Sequence, residues 1–186
     1  KCLFTYWYSL LVINNMISYL NGKPENNVLM SNRGLAYGDG LFETIAVHQG
    51  RLLLWPQHLA RLQRGLQALK FDCDLALLTQ EAQTIAAQGE GEAVLKITLV
   101  RDNEGGRGFK PAAHSQALRL MQLTAWQAEL TSSYVTRLKN CSSQLSCNPV
   151  LRGLKTLNSL QYVLAAAELG EFYEGLLCDE TGCLVE

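Results

Sequence analysis

One lysine in this chain stands where a cationic amine is out of place. Lys155 lies in the stretch GLKTLNSLQ, residues 153–161, ahead of a run in which Leu157, Leu160 and Leu164 recur at spacings of three and four. That spacing is the period of one helix face, and the start of a helix disfavours a cation because the macrodipole is positive there. Two readings fit the residue type. A surface lysine keeps its charge in water at the end of a flexible stem. A lysine turned inward is partly desolvated, and its amine can serve as a nucleophile or proton carrier. Three further residues are of types that could serve such an amine. Glu186 offers a carboxylate, while Arg61 in HLARL and Arg107 in GGRGF offer guanidinium forks suited to phosphate or carboxylate. Each also has a plain reading: Glu186 is the chain end, Arg61 sits on the polar face of a helix, and Arg107 is on an exposed loop.

The elements that must position these residues follow from pattern. ISYLNGK alternates and ends at Asn21-Gly22, a hairpin turn signal. GLFETIAVHQGRLLLW predicts two extended runs around His48-Gln49-Gly50. PQHLARLQRGLQALK predicts a helix, with Pro56 at its start and Leu59, Leu62, Leu66 and Leu69 on one face. A second helix is expected over LALLTQEAQTIAAQ, ending near Gly89. EAVLKITLVR reads as a strand, DNEGGRGF as a glycine-rich loop and QALRLMQLTAW as a further strand.

Past Trp126 the periodicity fades through QAELTSS, read as a linker over 126–132. Residues 16–125 then form a small N-terminal α/β domain, and residues 133–186 open a larger one. There, YVTRLKN and SSQLSCNP predict short strands, the Lys155 turn leads into a helix to about Gly170, and EGLLCDETGCLVE predicts a hairpin turning at Asp179–Gly182. The fold class is α/β (α+β). Residues 1–15 read as a non-native upstream leader, with Met16 as the natural start. Their apolar run is too short to span a bilayer and no small-residue cleavage site follows it.

Composition narrows the function classes. With 186 residues, 48% hydrophobic and 18% charged, the chain suits a folded globular protein. The formal charge of -1 and scattered basic residues give no support for nucleic-acid or membrane binding. Six cysteines and three histidines fall into no metal-ligand spacing. Reduced structural thiols in a cytoplasmic protein are the expected state.

An amine that bonds pyridoxal 5'-phosphate needs a carboxylate against the pyridine nitrogen, a cationic or amide site for the phosphate, and a clamp for the substrate carboxylate. Lys155, Glu186, Arg61 and Arg107 supply those types. The order YGDGLFETI, HLARL, VRDNEGGRGF, NPVLRGLKTLNSLQYVLA, DETGCLVE resembles the class IV pyridoxal-phosphate enzymes over Met16 to Glu186. That group includes branched-chain aminotransferases, D-amino acid aminotransferases and aminodeoxychorismate lyases, and the lysine motif and glycine-rich loop are most similar to the lyases.

The resemblance implies a two-domain fold of the D-amino acid aminotransferase type whose second domain is incomplete here, so that the chain reads as a fragment. It implies Lys155 as the catalytic, cofactor-bearing lysine, Glu186 as partner of the pyridine nitrogen, and Arg61 as phosphate ligand. It also implies Arg107, Tyr37 and Asn158 as substrate-binding residues, with the YGDG glycines as a tight turn seating the next strand. The implied activity is a lyase converting 4-amino-4-deoxychorismate to 4-aminobenzoate and pyruvate for folate synthesis, as a homodimer acting on a small molecule. A class IV aminotransferase and an inactive truncated remnant are the alternatives.

Overall fold

A computed structural model describes residues 16–102, 108–126, 137–146 and 148–186. The expected leader, the linker beyond Trp126, Arg107 and Cys147 lie outside the described residues. The elements in chain order are β1 (Ile17–Leu20), β2 (Lys23–Pro24), α1 (Arg33–Tyr37), β3 (Gly40–His48), β4 (Arg51–Leu52), α2 (Trp55–Leu69), α3 (Leu75–Ala86), β5 (Glu92–Arg101), β6 (Ala117–Ala125), β7 (Leu138–Leu145), α4 (Leu160–Ala167) and β8 (Glu174–Asp179). They pack as two compact units. One joins the described residues of 16–126 to Gly153–Leu157; the other holds 137–152 and Asn158–Glu186.

The first unit is an antiparallel six-stranded sheet of order β2-β1-β6-β5-β3-β4 with α2 and α3 on one face. Both expected hairpins form. Asn21 and Gly22 turn between β1 and β2 at φ 49° and 75°, and Gln49 and Gly50 between β3 and β4 at φ 47° and 75°. Two successive positive φ values make the turn whose twist matches paired strands. β5 begins and ends where its β-branched run does, and β3 and β5 bury alternate residues. The inward set Leu41, Ile45, Val47, Leu95, Ile97 and Leu99 meets Leu62 and Leu66 of α2 and Leu78, Ala82 and Ile85 of α3. The leucine stripe of α2 therefore lies where its period places it. Gly65 lets α2 approach the sheet closely, since a Cβ there would lie 2.6 Å from Leu41 Cδ1.

The second unit pairs β7 and β8 in parallel across α4, a strand-helix-strand arrangement over a small core of Leu145, Ala165 and Leu177. One expectation needs correction. The two short strands predicted near residues 134–148 are, among the described residues, one strand, β7. An irregularity between Asn140 and Gln144 interrupts its pairing, which is why its polar sequence reads as two pieces. The helix expected after the Lys155 turn forms over Leu160–Ala167. Ahead of it, Thr156 makes an isolated antiparallel bridge to Leu41. The final turn is as expected, with Gly182 N–H donating to the Asp179 carbonyl at 3.0 Å and Cys178 bridging Leu184. No helix among the described residues is long and apolar enough to cross a membrane.

Candidate active site

Lys155 is carried by the first unit. Opposite the end of β3 that pairs with β4, the edge of β3 would be bare at residues 40–42, and unpaired strand edges are costly to leave open. The lysine segment fills it. Phe42 N–H donates to the Lys155 carbonyl at 2.9 Å, Leu157 N–H donates to the Gly40 carbonyl at 3.1 Å, and Leu41 bridges Thr156. Gly40 permits this seat: a Cβ would stand 2.4 Å from the Leu99 carbonyl oxygen and 2.8 Å from Leu157 Cδ1. The YGDG motif thus acts as a tight turn, with Gly38 left-handed at φ 66° closing α1.

Cross-strand neighbours project side by side, so the Lys155 side chain meets that of Phe42. Its ammonium lies 4.9 Å from the Phe42 ring centroid, within cation–π range. Lys96 of β5 reaches the same ring at 5.9 Å. Lys155 is half-buried. The macrodipole puzzle posed by its sequence position dissolves, because the lysine precedes the helix by several residues and is anchored to a strand.

Arg61 is fixed to Glu43, the residue after Phe42. Because successive strand residues face opposite sides, Glu43 points to the helices while Phe42 points away. Lys155 and Arg61 are therefore anchored to consecutive residues of β3 on opposite faces. Glu43 is fully buried. Its Oε1 accepts from Arg61 Nε, and its Oε2 accepts from Arg61 Nη2 at 2.6 Å and pairs with His58 Nδ1 at 2.8 Å. Burial alone would push this carboxyl up, but the hydrogen bonds and charges of Arg61 and His58 prevail and hold it below the usual range. The bond to Glu43 in turn raises the guanidinium above its ordinary value.

A second buried cluster holds Gly108 and Phe109, which follow the glycine-rich stretch. Asp39 Oδ2 accepts from Arg33 Nε at 2.7 Å and from Arg101 Nε at 2.9 Å. Arg33 also donates to the carbonyls of Gly108 and Phe109, each at 3.0 Å, and Arg101 to those of Lys70 and Leu69 at the end of α2. Tyr37 joins the same loop. Its hydroxyl accepts from Gly108 N–H at 3.1 Å, and its ring lies 5.3 Å from that of Phe109. This cluster seats the turn into β3, and with it the strand end on which Lys155 docks.

Glu186 and Asn158 belong to the second unit. Glu186 pairs its backbone with Leu177, by Leu177 N–H to the Glu186 carbonyl at 2.7 Å, and lines a shallow cleft with Tyr162 and Cys141. Asn158 is exposed ahead of α4. The residue-pattern reading passed over Phe42, Glu43, His58, Arg33, Asp39 and Arg101. One signal was present: Glu43 is the single charge among the inward residues Leu41, Glu43, Ile45 and Val47 of a strand.

The fold is an antiparallel sheet backed by helices, with an amine docked at the Phe42 end of β3 and an arginine held by the next residue, Glu43. The model of the amino-transferase class IV family matches residues 40–186, and the chain belongs to that family. The chain superposes on 4-amino-4-deoxychorismate lyase from Pseudomonas aeruginosa with a TM-score of 0.82 at 37% identity, covering 91% of this chain and 64% of that one. It is 29% identical over 154 residues to aminodeoxychorismate lyase of Vibrio harveyi, covering 81% of this chain and 56% of the relative. A hypothetical aminotransferase from Mycobacterium tuberculosis, in a PLP-bound form, shares the fold at 19% identity and a TM-score of 0.66, covering 92% of this chain and 65% of that one. The chain thus spans between 56% and 65% of the length of these relatives.

The family is pyridoxal-phosphate-dependent, and the residues present fit that group. Lys155 offers an amine resting on an aromatic face. Arg61 keeps N–H donors beyond those given to Glu43, with a third of its side chain exposed.

Proposed function

We propose that this chain is the lysine-bearing part of a pyridoxal-phosphate-dependent lyase that converts 4-amino-4-deoxychorismate to 4-aminobenzoate and pyruvate. The observation that carries the reading is the docking of GLKTLN on β3, which rests the Lys155 amine on Phe42. The choice of lyase is supported by 37% identity to the Pseudomonas enzyme, against 18% to branched-chain aminotransferase of Escherichia coli.

Lys155 would hold the cofactor by its amine and would take the proton from the amine-bearing carbon of the substrate ring. The cofactor supplies an electron sink for the pair left behind. Cleavage of the neighbouring ring C–O bond would make the ring aromatic and release the enolpyruvyl group as enolpyruvate, which becomes pyruvate on taking up a proton. Arg61 would hold the phosphate, Glu186 would partner the pyridine nitrogen, and Arg107, Tyr37 and Asn158 would contact the substrate. The reading includes a cytoplasmic homodimer, which sedimentation of the purified chain checks.

Pyruvate release is measured from 4-amino-4-deoxychorismate with no keto acid added. Lyase chemistry gives pyruvate and 4-aminobenzoate in equal amounts, and Lys155→Ala gives neither. Turnover that requires a keto acid acceptor would make the protein an aminotransferase instead. Borohydride reduction with cofactor, followed by peptide mapping, is expected to label Lys155; label on Lys96 or Lys139 would refute the assignment.

A further inference from the structure

We propose that Glu43 is a positioning residue, which presents Arg61 to the cofactor phosphate. The inference rests on the reading above in which Arg61 holds that phosphate. Glu43 occupies an inward position of β3 among Leu41, Ile45 and Val47 and is 0% exposed. A carboxylate there is expensive to desolvate, and buried ion pairs can often be replaced by apolar residues without loss of stability. Stability therefore leaves this pair without a sufficient reason.

The geometry supplies one. Arg61 and His58 stand one turn apart on α2, and both reach the same carboxylate. Glu43 takes the Nε–H and one Nη2–H of Arg61, one edge of the planar guanidinium. The plane is then fixed, and the Nη1 hydrogens with the second Nη2 hydrogen remain on the side away from Glu43. A carboxylate partner also cancels the formal charge of Arg61. What the pair offers an anion is thus a set of aimed donors rather than a net positive charge, and phosphate geometry rewards aim. His58 buttresses the same oxygen, so the carboxylate cannot swing with the arginine.

The test compares the affinities of the 186-residue chain for pyridoxal 5'-phosphate and for pyridoxal, measured by equilibrium dialysis. Their ratio isolates the phosphate. The wild-type ratio is expected to exceed that of Arg61→Ala by roughly ten- to a hundredfold. Glu43→Gln, which keeps the volume but cannot accept from both nitrogens, is expected to lose most of that excess. Added to Arg61→Ala, it should change the ratio no further. A carboxylate with a merely structural role would weaken both ligands equally and leave the ratio alone. Should Glu43→Gln fail to fold, Arg61→Lys decides. It keeps the charge but not the fork, and should fall to nearly the Arg61→Ala ratio.

A ratio that Arg61→Ala leaves unchanged overturns the phosphate role of Arg61 and this proposal with it. A ratio that Arg61→Ala lowers but Glu43→Gln preserves overturns this proposal alone, as does an Arg61→Lys variant that keeps the full ratio.

Discussion

Replacing Asp39 removes the one anion shared by two buried arginines. The side chains of Arg33 and Arg101 are 4% and 5% exposed, and that of Asp39 is 15% exposed. Breaking a buried pair by deleting one partner costs about 3 to 5 kcal/mol, because the remaining charge stays desolvated. Here each arginine keeps two backbone carbonyls, so Asp39→Ala should fall near the middle of that range, about 4 kcal/mol. Asp39→Asn is a finer probe. Both arginines converge on the single atom Oδ2, and a carboxamide oxygen placed there still accepts both bonds. What is lost is the charge assistance, about 1 kcal/mol for each bond, or about 2 kcal/mol together. Urea unfolding followed by tryptophan fluorescence reads the difference; with a slope near 2 kcal/mol per molar, Asp39→Ala should lower the midpoint by about 2 M and Asp39→Asn by about 1 M. An Asp39→Ala variant within about 1 kcal/mol of wild type would refute the claim that this cluster anchors the turn. So would an asparagine variant as unstable as the alanine one.

Two further outcomes follow from local geometry. Gly65→Ala should destabilise by about 1 kcal/mol in urea unfolding. The gain of about 1 kcal/mol in helix propensity is outweighed by a Cβ placed 2.6 Å from Leu41 Cδ1, since such overpacking costs about 1 to 3 kcal/mol; a stabilised variant would count against the packing argument. Glu168 accepts from the hydroxyls and backbone N–H groups of Ser143 and Ser142, which lowers its carboxyl from 4.5 to about 2. A depressed carboxyl stabilises the folded chain above its unfolded value and loses that contribution as pH falls from about 4.5 towards about 2. The carboxyl carbon of Glu168 in an NMR titration should show its midpoint near the lower value, and a midpoint at the ordinary one would show that the serines do not hold it.

Much of the first unit was legible in the sequence, for reasons of period and turn chemistry. β5 coincides with the run Glu92–Arg101 because alternation and β-branching are local. α2 shows its leucine stripe because 3.6 residues per turn requires one. Asn21-Gly22 and Gln49-Gly50 declare their turns because both central positions need positive φ. The lysine motif was legible as a pattern, but not its setting.

Tertiary structure decided the rest, where partners come from far along the chain. No local signal tells that Arg101 meets Asp39 across 62 positions, or that Arg61 and His58 of a helix share a carboxylate from a strand. The segment around Lys155 is the clearest case. Its leucines have a helical period, and by pattern alone it reads as a turn leading into a helix. The edge of β3 takes up that turn's backbone, Phe42 N–H donating to the Lys155 carbonyl and Leu157 N–H to the Gly40 carbonyl, because backbone groups left open at a strand edge are costly. Residue order therefore determined which amine is set apart, and long-range backbone pairing determined that it rests on Phe42.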